Sequence, residues 1–218
     1  MSTKSLLEYS AVITEPQIDD YIRRLLPERE EVLAEMEELA ARNRIPIVGP
    51  SVGNFLSLLV KISGAKRIFE LGSAIGYSTI WIAQAAGLDA EVNYSDGSAD
   101  NARLATGYFE RAGVATRIEV HVGDALTALK NTEGEFDMIF NDVDKEGYPA
   151  VLDAVPSRLK HGGLFITDNT LWKGRVLDPQ KESDKAIAAF NQRLAQSKEF
   201  GYTTTLPMRD GVTVSVRL

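Results

Sequence analysis

The chain has 218 residues, 44% of them hydrophobic and 25% charged, with a formal net charge of −7 at pH 7. That balance is ordinary for a globular protein and argues against nonspecific attraction to nucleic acid or an anionic membrane. With no cysteine, and with only His121 and His161 as histidines, disulfides and thiolate sites are excluded and any metal would be held by oxygen, which suits magnesium, manganese or calcium.

The opening MSTKSLLEYSAVITEPQ lacks a basic stretch followed by an apolar one. It predicts no signal peptide, and with the missing cysteines it is compatible with a cytoplasmic protein. No apolar run approaches the roughly 18 residues of a membrane span. The first 45 residues read as helical: Val32, Leu33, Met36 and Leu39 recur at helix spacing, and Pro46 stops the pattern. A second helix follows Pro50 and closes near Gly64. Strands and helices then alternate: strand 66–71, helix 75–87, strand 90–95, helix 99–113, strand 117–122, a short helix in DALTALK, and strand 136–140. A helix interrupted by Pro156, strand 163–168 and helix 185–200 complete the alternation. Two strands, YTTTLPM and VTVSVRL, flank Arg209-Asp210-Gly211 as a closing hairpin. The pattern predicts an α/β fold with a doubly wound, mostly parallel sheet and helices on both faces. No repeat or linker divides it, so residues 1–218 read as one domain. Ligands of such sheets bind at the carboxyl ends of the strands, near the switch in strand order.

The first of these ends is ELGSAIGYS. Its Gly72 and Gly76 allow close backbone approach, but the G-x-x-x-G spacing and the acid Glu70 do not suit a pyrophosphate. The loop suits a ligand without phosphates. Asp96 ends the second strand 24 residues after Gly72, near the separation of about 20 at which a carboxylate binds ribose hydroxyls. Asp124 follows the third strand, where an adenine edge would lie. Singly, each acid reads as well as a turn or helix cap; three at successive strand ends point to a nucleoside.

FDMIFNDVDKEGY raises a different question, because strands four and five both end in acid: Asp142, and Asp168 followed by Asn169. Adjacent strands lie about 4.8 Å apart. Two carboxylates so close repel unless a cation or proton intervenes. Two acids and an amide oxygen make a hard oxygen set with room left for water and substrate. Lys145, beside such a cation, would have its ammonium form disfavoured and so suit a base. Glu146 reads as a solvated helix-start charge, and Asp144 is open between that reading and a functional one.

These stretches resemble, in order, a known family. ELGSAIGYS, SDGSADNARLATGYFERAGV, VGDAL, FNDVDKEGY, DNTLWKGRV and DGVTVSVRL are similar to the metal-dependent S-adenosylmethionine O-methyltransferases of the catechol and caffeoyl-CoA type. The resemblance implies a seven-stranded sheet in the order 3-2-1-4-5-7-6 with an antiparallel terminal strand. It implies Asp142, Asp168 and Asn169 as ligands of a divalent cation, magnesium above manganese or calcium, and Lys145 as general base. It implies Val48, Gly49, Glu70, Gly72, Ser78, Asp96, Asp124, Ala125 and Asp142 around the cofactor S-adenosyl-L-methionine, and Trp172 beside the acceptor, where core packing is a rival role. It implies a homodimer, with residues 1–45 as lid or dimerisation element, and a hydroxylated aromatic small molecule as acceptor. Asn141 stands where the family usually has an apolar residue, and Gly147 where it has a larger one. A nicotinamide oxidoreductase, a nucleic-acid methyltransferase and a noncatalytic nucleoside-binding module are the competing readings. The first lacks a phosphate loop, the second a basic surface, and the third does not explain a complete ligand set beside Lys145.

Overall fold

Short runs of buried apolar residues, separated by amphipathic segments, wind into one sheet with helices on both faces. The computed structural model describes residues 13–218; the part of the N-terminal helical expectation that falls on residues 1–12 lies outside them. The helices are α1 (Pro16–Arg24), α2 (Glu31–Asn43), α3 (Gly49–Ser63), α4 (Tyr77–Ala86), α5 (Ala99–Arg111), α6 (Ala125–Asn131), α7 (Tyr148–Ala154) and α8 (Glu182–Ala195). The strands are β1 (Arg67–Leu71), β2 (Glu91–Asp96), β3 (Ile118–Val122), β4 (Phe136–Asn141), β5 (Leu159–Thr167), β6 (Phe200–Leu206) and β7 (Val212–Arg217). Among the described residues they form one sheet in the order β3-β2-β1-β4-β5-β7-β6, as the resemblance implies. β1 to β5 pair in parallel, and β7 inserts antiparallel between β5 and β6. No helix among the described residues is long and apolar enough to cross a membrane.

Several boundaries differ from the sequence reading for local reasons. The helix expected through Phe200 stops at Ala195, and Phe200 opens β6. Its ring is buried against Phe165, centroids 5.3 Å apart, so tertiary packing overrides the helical continuation. The helix expected over 147–159 is broken into a 3-10 turn at Lys145–Gly147, α7, and a 3-10 turn at Val155–Ser157. Pro156 supplies no N–H to continue it. β5 starts at Leu159, before the expected Gly163, because the chain is already paired with Phe136 across a register shift. Asp168 lies just past its end.

The two N-terminal helices differ. α2 buries Val32, Leu33, Met36 and Ala40, each large side chain contributing about 1.5–3 kcal/mol. It is tied to the body by Tyr77, whose hydroxyl donates to Glu37 Oε1 at 2.8 Å. α1 buries none of its residues, and Ile18, Tyr21, Ile22 and Leu25 are exposed.

Candidate active site

The parallel strands end on one edge of the sheet, where backbone bonds continue the ladder beyond the strands. Asp142 N donates to Leu71 O (2.8 Å) and Asp168 N to Asn141 O (3.1 Å). Because Asn141 lies opposite Thr167 in the register, the next residues, Asp142 and Asp168, are neighbours. Above this edge opens a cleft of about 830 Å³. Gly72, Asp96, Asp124, Ala125, Asp142, Lys145, Asn169 and Trp172 all line it.

Other expected residues stand elsewhere. Glu70 is wholly buried behind the cleft wall. Its carboxylate accepts from the Ser78 hydroxyl and, at 2.5 Å, from Thr79 Oγ1. Burial pushes it up to about 7 against the pull of those hydroxyls. Glu70, implied beside the cofactor, thus faces the first turn of α4, and the Ser78 hydroxyl is engaged by it. Val48 and Gly49, at the start of α3, line a smaller cavity of about 340 Å³. That cavity shares Pro46, Ile47 and Arg209 with the main cleft.

Gly72 has a structural role beside the expected one. Its φ is +81°, and a Cβ there would lie 2.6 Å from Asp142 O. The close approach it permits is between the tips of β1 and β4, which seats Asp142, as well as toward the cleft. Asp96 is filled by the protein on both oxygens: Oδ2 accepts from Ala74 N (3.0 Å), and Oδ1 from Ser98 N (2.9 Å) and Asn101 Nδ2 (3.0 Å). Asp124 caps α6, its Oδ1 accepting from Thr127 N (2.7 Å) and Thr127 Oγ1 (2.6 Å), which holds the carboxyl below its ordinary range. Both acids remain at the cleft surface with lone pairs to spare.

The β4 and β5 tips are less complete. Lys145 Nζ donates to Asp142 Oδ1 (2.7 Å) and Val143 O (3.1 Å). It faces the rings of Tyr148 and Trp172, 5.1 and 5.8 Å from their centroids. Asp168 is fully buried, and its Oδ1 has no hydrogen-bond partner among the described residues. Its Oδ2 accepts from Asn169 Nδ2 at 3.1 Å and lies 3.5 Å from Arg209 Nη1. Burial first, and then the charge of Asp142, push Asp168 up to about 7; burial also raises Asp142. An orphaned carboxylate oxygen beside a second acid suits a hard divalent cation. Turning the Asn169 amide over would add an oxygen to the set.

The segment that carries these groups is held under strain. Asn169, Trp172 and Lys173 all have positive φ, of 56°, 46° and 53°, a conformation Asn tolerates and bulky residues resist. The β6–β7 turn pins it: Thr170 N donates to Gly211 O, Leu171 N to Asp210 O, and Lys173 N to the Asp210 carboxylate. Tyr148 Oη donates to Asp168 O (2.8 Å) and Trp172 Nε1 to Asp184 Oδ1 (2.8 Å). The sequence reading gave no role to Tyr148, Asp184, Asp210 or Arg209. Arg209 and Asp210 fell inside a hairpin signal, and nothing local shows that this turn folds over Asp168. Of the two departures, Asn141 is buried, and its Nδ2 has no partner among the described residues. Gly147 lines the cleft, where a Cβ would lie 3.3 Å from Val143 Cγ2.

Known proteins match this arrangement in sequence and in fold. The family model for O-methyltransferase matches residues 26–218. The chain is 32% identical to caffeoyl-CoA O-methyltransferase 1 of Zea mays over 88% of its length and 80% of that protein's. It is 33% identical to catechol O-methyltransferase of Mycobacterium tuberculosis over 83% of its length and 82% of the relative's. The crystal structure of an O-methyltransferase from Bacillus cereus in complex with SAH superposes with a TM-score of 0.84 at 31% identity, covering 92% of this chain and 97% of that one. TomG of Streptomyces achromogenes, an O-methyltransferase of tomaymycin synthesis in complex with SAM, gives 0.83 at 27% identity over 92% and 96%. The chain belongs to the O-methyltransferase family, with relatives of both the catechol and the caffeoyl-CoA type.

Proposed function

We propose that the enzyme transfers a methyl group from S-adenosylmethionine to one hydroxyl of a vicinal dihydroxy aromatic, with the help of a divalent cation. The observation that carries the cation is the orphaned Oδ1 of buried Asp168 next to Asp142. Asp142, Asp168 and Asn169 would hold the ion, which when bound supplies Lewis-acid charge to two adjacent substrate oxygens. The methyl donor would lie over Gly72 and Ala125, with its ribose at Asp96 and its adenine near Asp124. Its sulfonium already activates the methyl group, so the protein's task is alignment.

Lys145 is the base of this reading. Its Nζ stands between Asp142 and the rings of Tyr148 and Trp172, where it takes the proton from the hydroxyl to be methylated. The resulting oxyanion attacks the methyl carbon in line; the C–O bond forms as the S–C bond breaks and the pair of electrons returns to sulfur. Trp172, fixed by Asp184, gives the aromatic ring a flat wall.

Residues 1–218 act as one domain in this proposal. α1 covers the acceptor side through Asp19 and Arg23, and its exposed apolar residues face a second copy in a homodimer. The test is direct: Asp142→Ala or a chelator abolishes methylation of a catechol panel, while calorimetric binding of S-adenosylmethionine stays within about threefold. Undiminished turnover in chelator rejects the cation.

A further inference from the structure

Arg209 stands at the junction of the two cavities. It lines both, together with Pro46 and Ile47. It sits at the tip of the β6–β7 turn with φ +50°, and the turn is anchored through the buried Asp210. Its Nη1 lies 3.5 Å from Asp168 Oδ2, and its side chain is 42% exposed. A committed guanidinium–carboxylate bond is about 2.7–2.9 Å long. Arg209 is therefore only loosely held by Asp168, and the rest of its donor fork has no partner among the described residues. Lys173, exposed on the strained segment, lines the same end of the main cleft. Asp96 and Asp124 line the other end. Asp142, Asp144, Glu146 and Asp210 line the cleft as well; Asp142 is engaged by Lys145 and Asp210 by Lys173 N, whereas most of the Arg209 fork is left free to face a ligand.

From these free donors at the junction of the cavities we infer that Arg209 is a specificity-determining residue that reads an anionic substituent on the acceptor, projecting away from the two ring hydroxyls toward the smaller cavity. The inference rests on the acceptor reading above and narrows it from catechols to catechols bearing a carboxylate or similar planar anion. A guanidinium matches a carboxylate through two parallel donors. A neutral amide at the same place accepts only one bond and gains no charge attraction. Of the acids on the smaller cavity, Glu37 is taken up by Arg29 Nε (3.0 Å) and the Tyr77 hydroxyl. Asp19 lines that cavity as well, and Arg23 lies on the same wall.

The experiment compares 3,4-dihydroxybenzoate with 3,4-dihydroxybenzamide in wild type, Arg209→Gln and Arg209→Lys. Wild type prefers the acid by about 10- to 100-fold in kcat/KM, mostly through KM, as expected for one charge-assisted pair. Arg209→Gln removes the preference, costing the acid at least tenfold more than the amide. Arg209→Lys restores part of it. A direct titration of the benzoate, followed by tryptophan fluorescence, shows the same order of affinities. Equal losses for both acceptors in Arg209→Gln would mean that Arg209 acts only by balancing Asp168, and would overturn the inference. Methylation of both acceptors without preference in wild type overturns it too, and leaves the catechol reading standing. If wild type methylates neither, both readings fall.

Discussion

Two pairs of acids end the central strands, and their surroundings are opposite. Glu70 and Asp96, at β1 and β2, have their oxygens filled by hydroxyls, backbone N–H groups and an amide of the protein itself. At β4 and β5, Asp142 is met by Lys145 and Asp168 by Asn169 and a distant Arg209, and one oxygen of Asp168 has no partner among the described residues. Acids in one register of one sheet thus do two kinds of work. The first pair is consumed in holding the loops around it; the second leaves an acceptor oxygen open, which the proposed cation would take up.

Lys145→Ala strikes the incomplete pair hardest short of removing a cation ligand. Turnover falls about 10²- to 10⁴-fold, the range of a positioned general base. The pH–rate profile loses the limb that Lys145 provides, while affinity for S-adenosylmethionine holds. A profile unchanged by the substitution removes Lys145 as base.

Stability separates the pairs without any assay of activity. Asp168 rises from 3.8 to about 7 in the folded protein. The folded state therefore keeps a proton that the unfolded state has released. This favours folding fully below about pH 4 and is lost as pH rises through 7. In chelator, the stability read from thermal melts should fall from pH 5 to pH 8, by on the order of 3 kcal/mol at most. Magnesium should offset the fall at pH 8, and Asp168→Asn should remove its share of the fall together with the response to magnesium. Glu70 moves in the same direction, from 4.5 to about 7, so Glu70→Gln should also flatten the profile in chelator. It should leave the response to magnesium in place. If both variants lose that response, the contrast between the pairs is gone. The smallest effect belongs to the wall: Trp172→Phe should raise acceptor KM by a few fold, leaving donor affinity unchanged in the same titrations.

Much of this architecture is written locally. Alternating apolar strands and amphipathic helices announce the layered sheet, because burial needs period two in one and three to four in the other. Asp124 followed by Thr127 is legible as a helix cap, and that is what the fold displays beside its place in the cleft. The failures are equally specific. Nothing near Phe200 says that its ring will pack on Phe165 and end the helix early. Nothing in ELGSAIGYS says that Glu70 will turn inward to Ser78 and Thr79.

The sequence alone determined which chemistry is available: oxygen ligands without sulfur, one lysine beside an acidic strand end, and acids at every tip of the parallel strands. These follow from residue type and period, which are local. Only the tertiary structure decided which acids are satisfied and which are left wanting. That depends on partners distant along the chain, such as Arg209 over Asp168, Asp184 under Trp172 and Asp210 beneath Lys173. Their meeting is set by the order of strands in the sheet.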